Sequence, residues 1–151
     1  MFQNCQNLTT LNVANLGASG MLAWTDAMFA NCSNLTTLDM SNWDLSNDCY
    51  IADMFWGCHN LTTVIGGLNN YGACFEEYQF DDQLPRLALR LDHCGNLTKT
   101  SVYNMFSGLY NLTAAGFNRQ TIYLNSTLFR MLNNSERSNL FYDKGWYCWE
   151  V

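Results

Sequence analysis

The chain has 151 residues and a net charge of −6, with 48% hydrophobic and 15% aromatic residues, enough length and apolar material for one domain with a sizeable core. Its seven Lys and Arg form no run, which excludes the clustered cations that phosphate-backbone binding draws on, so no nucleic-acid partner is expected. No stretch approaches the about eighteen consecutive apolar residues of a membrane helix, and the N-terminus lacks the basic start and apolar run of a signal peptide, so neither membrane insertion nor a signal peptide is expected.

An eleven-residue phrase is written three times. Met1-Phe2-Gln3-Asn4-Cys5-Gln6-Asn7-Leu8-Thr9-Thr10-Leu11 returns from Met28 to Leu38 and again from Met54 to Val64, at spacings of 27 and 26 residues. A fixed period of that size predicts stacked units. In the second copy, Ala27, Met28 and Cys32 recur at helical spacing, which predicts a short helix over 23–31. Leu35 to Ser41 then alternates, which predicts a strand with Leu38 and Met40 inward and Thr37, Asp39 and Ser41 outward. Four of the seven cysteines (Cys5, Cys32, Cys58, Cys94) open the same Cys-x-Asn-Leu-Thr phrase. Stacking would set them in a ladder of buried, reduced thiols and not in a disulfide framework.

The phrase Met-Phe-x-x-Cys-x-Asn-Leu-Thr-Thr-Leu-Asp-Met-Ser-Asn-Trp-Asp-Leu-Ser-Asn resembles the BspA-like leucine-rich repeats, of about 26 residues, found in bacterial, phage-encoded and parasite surface proteins. The likeness is close over Met1 to about Leu68 and looser from Leu84 to about Thr113. It implies an α/β repeat fold: a leucine-rich-repeat solenoid of short helix plus strand units over 1–118, with a sheet along one face that touches other molecules and does not catalyse.

Beyond Leu68 the period breaks. An aromatic and acidic insertion at about 69–83 carries Tyr71, Phe75, Glu76, Glu77, Tyr78, Phe80, Asp81 and Asp82. Insertions of this kind map to loops, often on the binding side. Leu84 to Asp92 predicts a strand with Leu87, Leu89 and Leu91 inward and Arg86, Arg90 and Asp92 outward. Thr98 or Thr100 can cap a helix through Leu109 that turns Val102, Met105, Phe106 and Leu109 inward. Residues 119–151 predict a C-terminal helix-strand cap: a strand at Thr121 to Leu124, helices opening at Ser126 and Ser135, a stop at Gly145 and a closing strand from Trp146. The Lys-Gly-Trp ending also resembles the ends of repeat proteins encoded by phages and prophages. The first phrase has no such cap, so its apolar edge is expected to pack on another domain or chain.

Cys58-His59 and His93-Cys94 lack the local ligand pairs of a metal site and a nucleophile-base arrangement, so neither a metal, a cofactor nor an enzyme activity is expected. The four acids of the insertion lack a calcium-loop spacing and read as a solvated loop. The candidate ligand-binding residues are Thr37, Asp39, Ser41, Arg86, Arg90 and Asp92 on the sheet face, with Tyr71 and Tyr78 in the insertion; arginine and tyrosine are favoured interface anchors. The same residues also fit an ordinary solvated face. The expected work is non-catalytic recognition or adhesion, binding a protein or glycan on a bacterial or host surface. The alternative is a structural virion (tail) or assembly component using the open N-terminal edge. The expected setting is a bacterial cell surface or a phage virion.

Overall fold

The computed structural model describes residues 1–18, 22, 24–47, 50–73, 89–117 and 119–151. Strands β1 (Thr10–Asn12), β2 (Thr37–Met40) and β3 (Thr63–Gly66) pair in parallel, with Thr10, Thr37 and Thr63 in one register row and Leu11, Leu38 and Val64 in the next. The apolar row points into the core, where Leu38 and Val64 are buried. Each copy of the phrase is bonded to the one before it. The side-chain amides of Asn34, Asn60 and Asn96 donate to the carbonyls of Gln6, Ser33 and His59 at 2.9, 2.9 and 2.7 Å. The thiols of Cys32, Cys58 and Cys94 donate to the carbonyls of Phe2, Phe29 and Phe55 at 3.1, 3.1 and 3.4 Å. Phe29 stacks between Phe2 and Phe55, with ring centroids 5.8 and 5.9 Å apart.

The helix expected over 23–31 is a run of turns (residue 23 lies outside the described residues). Ala27 and Asn31 have φ of 53° and 59°, in the left-handed region that interrupts a right-handed helix. The amides that a helix would spend on its own carbonyls point sideways: Phe29 N donates to Met54 O at 3.0 Å and Asn31 N to Trp56 O at 2.6 Å. Neighbouring copies hold one another by main-chain bonds in place of helical ones.

The fourth copy, Cys94-Gly95-Asn96-Leu97-Thr98, keeps these side-chain bonds and then departs from the pattern. Where the earlier copies run into a strand, α1 (Lys99–Ser107) begins, its N-cap Thr98 accepting from Ser101 N at 3.2 Å. Ser101 is buried against β3: its hydroxyl accepts Val64 N at 3.0 Å and lies 3.2 Å from Thr62 O, to which it donates. Gly67 permits the close approach, since a Cβ there would stand 2.3 Å from Asn104 O. Val102, Met105, Phe106 and Leu109 are buried as their spacing predicts.

A second sheet begins ahead of that helix. Its strands β4 (Leu89–Leu91), β5 (Gln120–Leu124) and β6 (Trp146–Glu150) are parallel in that order. The short helix α2 (Leu112–Ala115) precedes β5. Between β5 and β6 come α3 (Ser126–Met131), α4 (Asn134–Leu140) and a 3-10 turn (Tyr142–Lys144) stopped by Gly145 at φ 83°. Asn133 and Glu136 form a capping box at the start of α4, and Lys99 reaches Glu136 at 2.7 Å, tying α1 to α4.

The architecture corrects the expected fold class. The chain is α/β, but it is not a leucine-rich-repeat solenoid of helix plus strand units: among the described residues the strands fall in two separate three-stranded parallel sheets, and the α-helices all follow residue 98. Within the second sheet β4 is hydrogen-bonded to β5. One buried cluster runs from Val13 to Cys148.

Candidate functional site

The expected binding residues do not share one face. Thr37, Asp39 and Ser41 lie on or just after β2 in the first sheet, whereas Arg90 and Asp92 lie on or just after β4 in the second. Arg86 and Tyr78 lie outside the described residues, as does most of the insertion. Tyr71 is fully buried against Trp146, ring centroids 5.6 Å apart, and is therefore a core residue and not a surface anchor.

On the first sheet both oxygens of Asp39 are already engaged. One accepts Asn12 Nδ2 at 3.0 Å and the other accepts Ser41 N at 3.1 Å, which shapes the turn after β2. The Asn12, Asp39 and Ile65 row and the Thr10, Thr37 and Thr63 row make the outer face of this sheet, on which Ile65 is 45% exposed.

The second sheet is different. Arg90 Nη2 bonds Asp92 Oδ2 at 2.8 Å, and its guanidinium lies over the Tyr123 ring at 5.2 Å from the centroid. That hydrogen bond to Asp92 raises the Arg90 pKa. Arg90 Nε and Asp92 Oδ1 are buried with no hydrogen-bond partner among the described residues. Next to them His93 packs on Trp56, centroids 3.8 Å apart. Burial and the neighbouring Asp26 push the Asp53 carboxyl above its ordinary value.

Register carries Arg90 across to Tyr123 and then to Trp149, so one row crosses all three strands. The adjacent row places Thr121 beside Tyr147, and Arg119 lies over the Tyr147 ring at 5.2 Å while its Nη1 bonds the Tyr147 hydroxyl at 3.0 Å. Trp149 is 58% exposed and Tyr147 41%. Beside this face a groove of about 560 Å³ runs along β6, lined by Arg119, Phe129, Tyr142 and the strand itself from Trp146 to Glu150. That volume lies within the range of ligand sites, about 300–1,000 Å³. Sequence reasoning took Trp146 to Val151 as a closing strand only. The alternation of Trp146 and Cys148 with Tyr147 and Trp149 was the signal that two aromatic rings face outward.

Burial pushes the thiols of Cys58 and Cys148 up to about 12 and raises those of Cys32 and Cys94, so all four stay protonated and poorly nucleophilic near neutrality. Among the described residues no three His, Cys, Asp or Glu side chains converge as a metal site would need. No described helix is long and apolar enough to cross a membrane. No family model, curated protein or solved structure matches the chain.

Proposed function

We propose that the chain is a non-catalytic recognition module that binds a protein or glycan on a bacterial or host cell surface through the outer face of the second sheet. The observation that carries this reading is the row Arg90, Tyr123 and Trp149, flanked by Tyr147 and Arg119. Aromatic rings of this kind give large contact area with few rotors to order, and planar guanidinium groups stack on them and present several donors, which is why both are favoured interface anchors. The likeness of the repeated phrase to those of bacterial and phage surface proteins supports a cell-surface or virion setting. The test is binding of the labelled chain to a panel of bacterial and host cells and surface glycans, beside a Trp149→Ala, Tyr147→Ala variant. Saturable binding to a few members of the panel, lost in the variant at an unchanged unfolding midpoint, is expected. Absence of binding by folded protein overturns the reading.

A second reading, a structural virion or assembly component, is favoured by the first unit. Residues 1–18 carry no charged side chain in a chain of net charge −6. Phe2, Cys5, Leu8 and Leu11 are only partly buried against the core, and among the described residues β1 is an outer strand of its sheet. Edge strands are ordinarily guarded by charge. On this reading Leu11→Lys abolishes incorporation into a larger assembly, measured by sedimentation, and leaves surface binding intact.

A further inference from the structure

We infer that the groove along β6 takes an extended acidic peptide, added as a fourth strand to the second sheet; this rests on the recognition reading and names the ligand class for its site. β6 is the outer strand of its sheet among the described residues. Val151 N donates to Leu124 O at 2.9 Å and Gln120 N to Gly145 O at 3.3 Å, so the main-chain groups of Tyr147 and Trp149 share that side and bond β5. Period two then turns the N–H and C=O of Cys148 and Glu150 to the open side, into the groove. A peptide strand lying there would find donors and acceptors at strand spacing, which is how edge strands capture extended segments.

The walls fit alternating side chains. Phe129 and Tyr142 line the groove together with Trp146 and Cys148, whose side chains turn toward the core, while Tyr147 and Trp149 rise from the outer face. Successive residues of an added strand would therefore contact opposite walls, both aromatic. An edge this apolar is unusual, because a long unguarded edge invites indiscriminate pairing. β6 reads Trp-Tyr-Cys-Trp-Glu, and its one charge, Glu150, is held by Arg130 at 2.9 Å.

Charge selects the occupant. Three of the chain's seven Lys and Arg surround the groove: Arg119 in its lining, Arg130 on Glu150, and Arg137 over the Phe129 ring at 4.4 Å. Glu150 is the one carboxylate among the lining residues, and it is already paired. The groove is thus locally cationic in an acidic chain, a complementarity that draws acidic segments, while the like net charge of −6 on two copies opposes self-association.

The experiment is selection of a displayed library of random octapeptides on the immobilised full chain, followed by titration of one enriched synthetic peptide. Enrichment of Asp and Glu interleaved with bulky apolar residues is expected, with binding weakened about tenfold or more by Trp149→Ala and by Arg119→Glu. Both positions are exposed, so both variants keep the fold. N-methylation of the peptide backbone at alternate positions should abolish binding, and at the intervening positions leave it unchanged. Enrichment of neutral or basic peptides, insensitivity to Arg119→Glu, or indifference to backbone methylation overturns the inference. No peptide enrichment beside glycan binding that Trp149→Ala removes leaves the recognition reading standing and ends the peptide one. A concentration-dependent dimer broken by Trp149→Ala assigns the edge to a second copy and also ends it.

Discussion

The Ser101 hydroxyl stands 3.0 Å from Val64 N and accepts its proton, so that one side chain at the start of α1 meets the outward amide of β3. In the two preceding junctions that work is done by the next strand. Here a helix closes the first sheet, and the bond is buried. The cost of losing it follows from what would be left behind. Thr62 O keeps a donor, because Thr98 N bonds it at 2.9 Å. Val64 N would keep none.

Ser101→Ala is therefore expected to destabilise the chain by about 1–3 kcal/mol, the range for a buried donor left without a partner. Urea unfolding checks the magnitude, and amide hydrogen exchange checks the site: Val64 should lose protection before its neighbours in β3.

Gly67→Ala tests the close approach that allows this bond. The added Cβ would meet the main-chain oxygen of Asn104 at 2.3 Å, which no side-chain rotation relieves, so α1 must lift from β3. Overpacking of this kind costs about 1–3 kcal/mol. The urea midpoint should fall accordingly, and Val64 protection should fall with it.

Burial of thiols predicts an alkaline limit. Cys58 and Cys148 are raised from 9.0 to about 12, so the folded chain holds their protons where the unfolded chain releases them. Their stabilising contribution is complete below pH 9.0 and is lost as pH rises from there toward about 12. Urea titrations at pH 8 and above should show stability declining with pH, less steeply in Cys58→Ala. Thiol labelling of the folded chain at neutral pH should be slow at both positions and become fast in denaturant.

An opposite dependence is expected at acid pH. Lys99 and the amide of Asn133 both hold the Glu136 carboxyl below its ordinary 4.5. Its contribution is present above pH 4.5 and is lost as pH falls through the lower folded value. Glu136→Gln should flatten the loss of stability on acidification without changing the alkaline limb, as read by thermal unfolding across pH.

Several elements were legible because local signals agreed. Thr98, followed by Val102, Met105, Phe106 and Leu109 at helical spacing, gave both the cap and the face of α1. The Cys rungs followed from the recurrence of their phrase. The turns over 24–31 were not legible, because Ala27 at φ 53° carries no mark of its conformation, and its helical spacing arose from stacking between copies. The strands of the second sheet were legible, within Leu84 to Asp92, at Thr121 to Leu124 and from Trp146, but their separation from the first sheet was not, since Cys94 to Thr98 writes the same words as the strand-forming copies and only the residues after them differ. Tyr71 looked like a loop aromatic, and its burial depends on Trp146, far along the chain. The groove along β6 required knowing which strand stood outermost, which is a property of topology and not of any local stretch.

The helical closure of the first sheet makes few demands on what precedes it. It uses the edge groups of Thr62 and Val64 and the missing side chain of Gly67, none of which depends on how many strands lie beyond β3. The chain from β3 onward is thus a terminator indifferent to the number of strands before it: it carries the Thr-x-Val-x-x-Gly edge together with β4 and Tyr71, on which β5 and Trp146 pack. Chains of different length could share it and still present the same aromatic face.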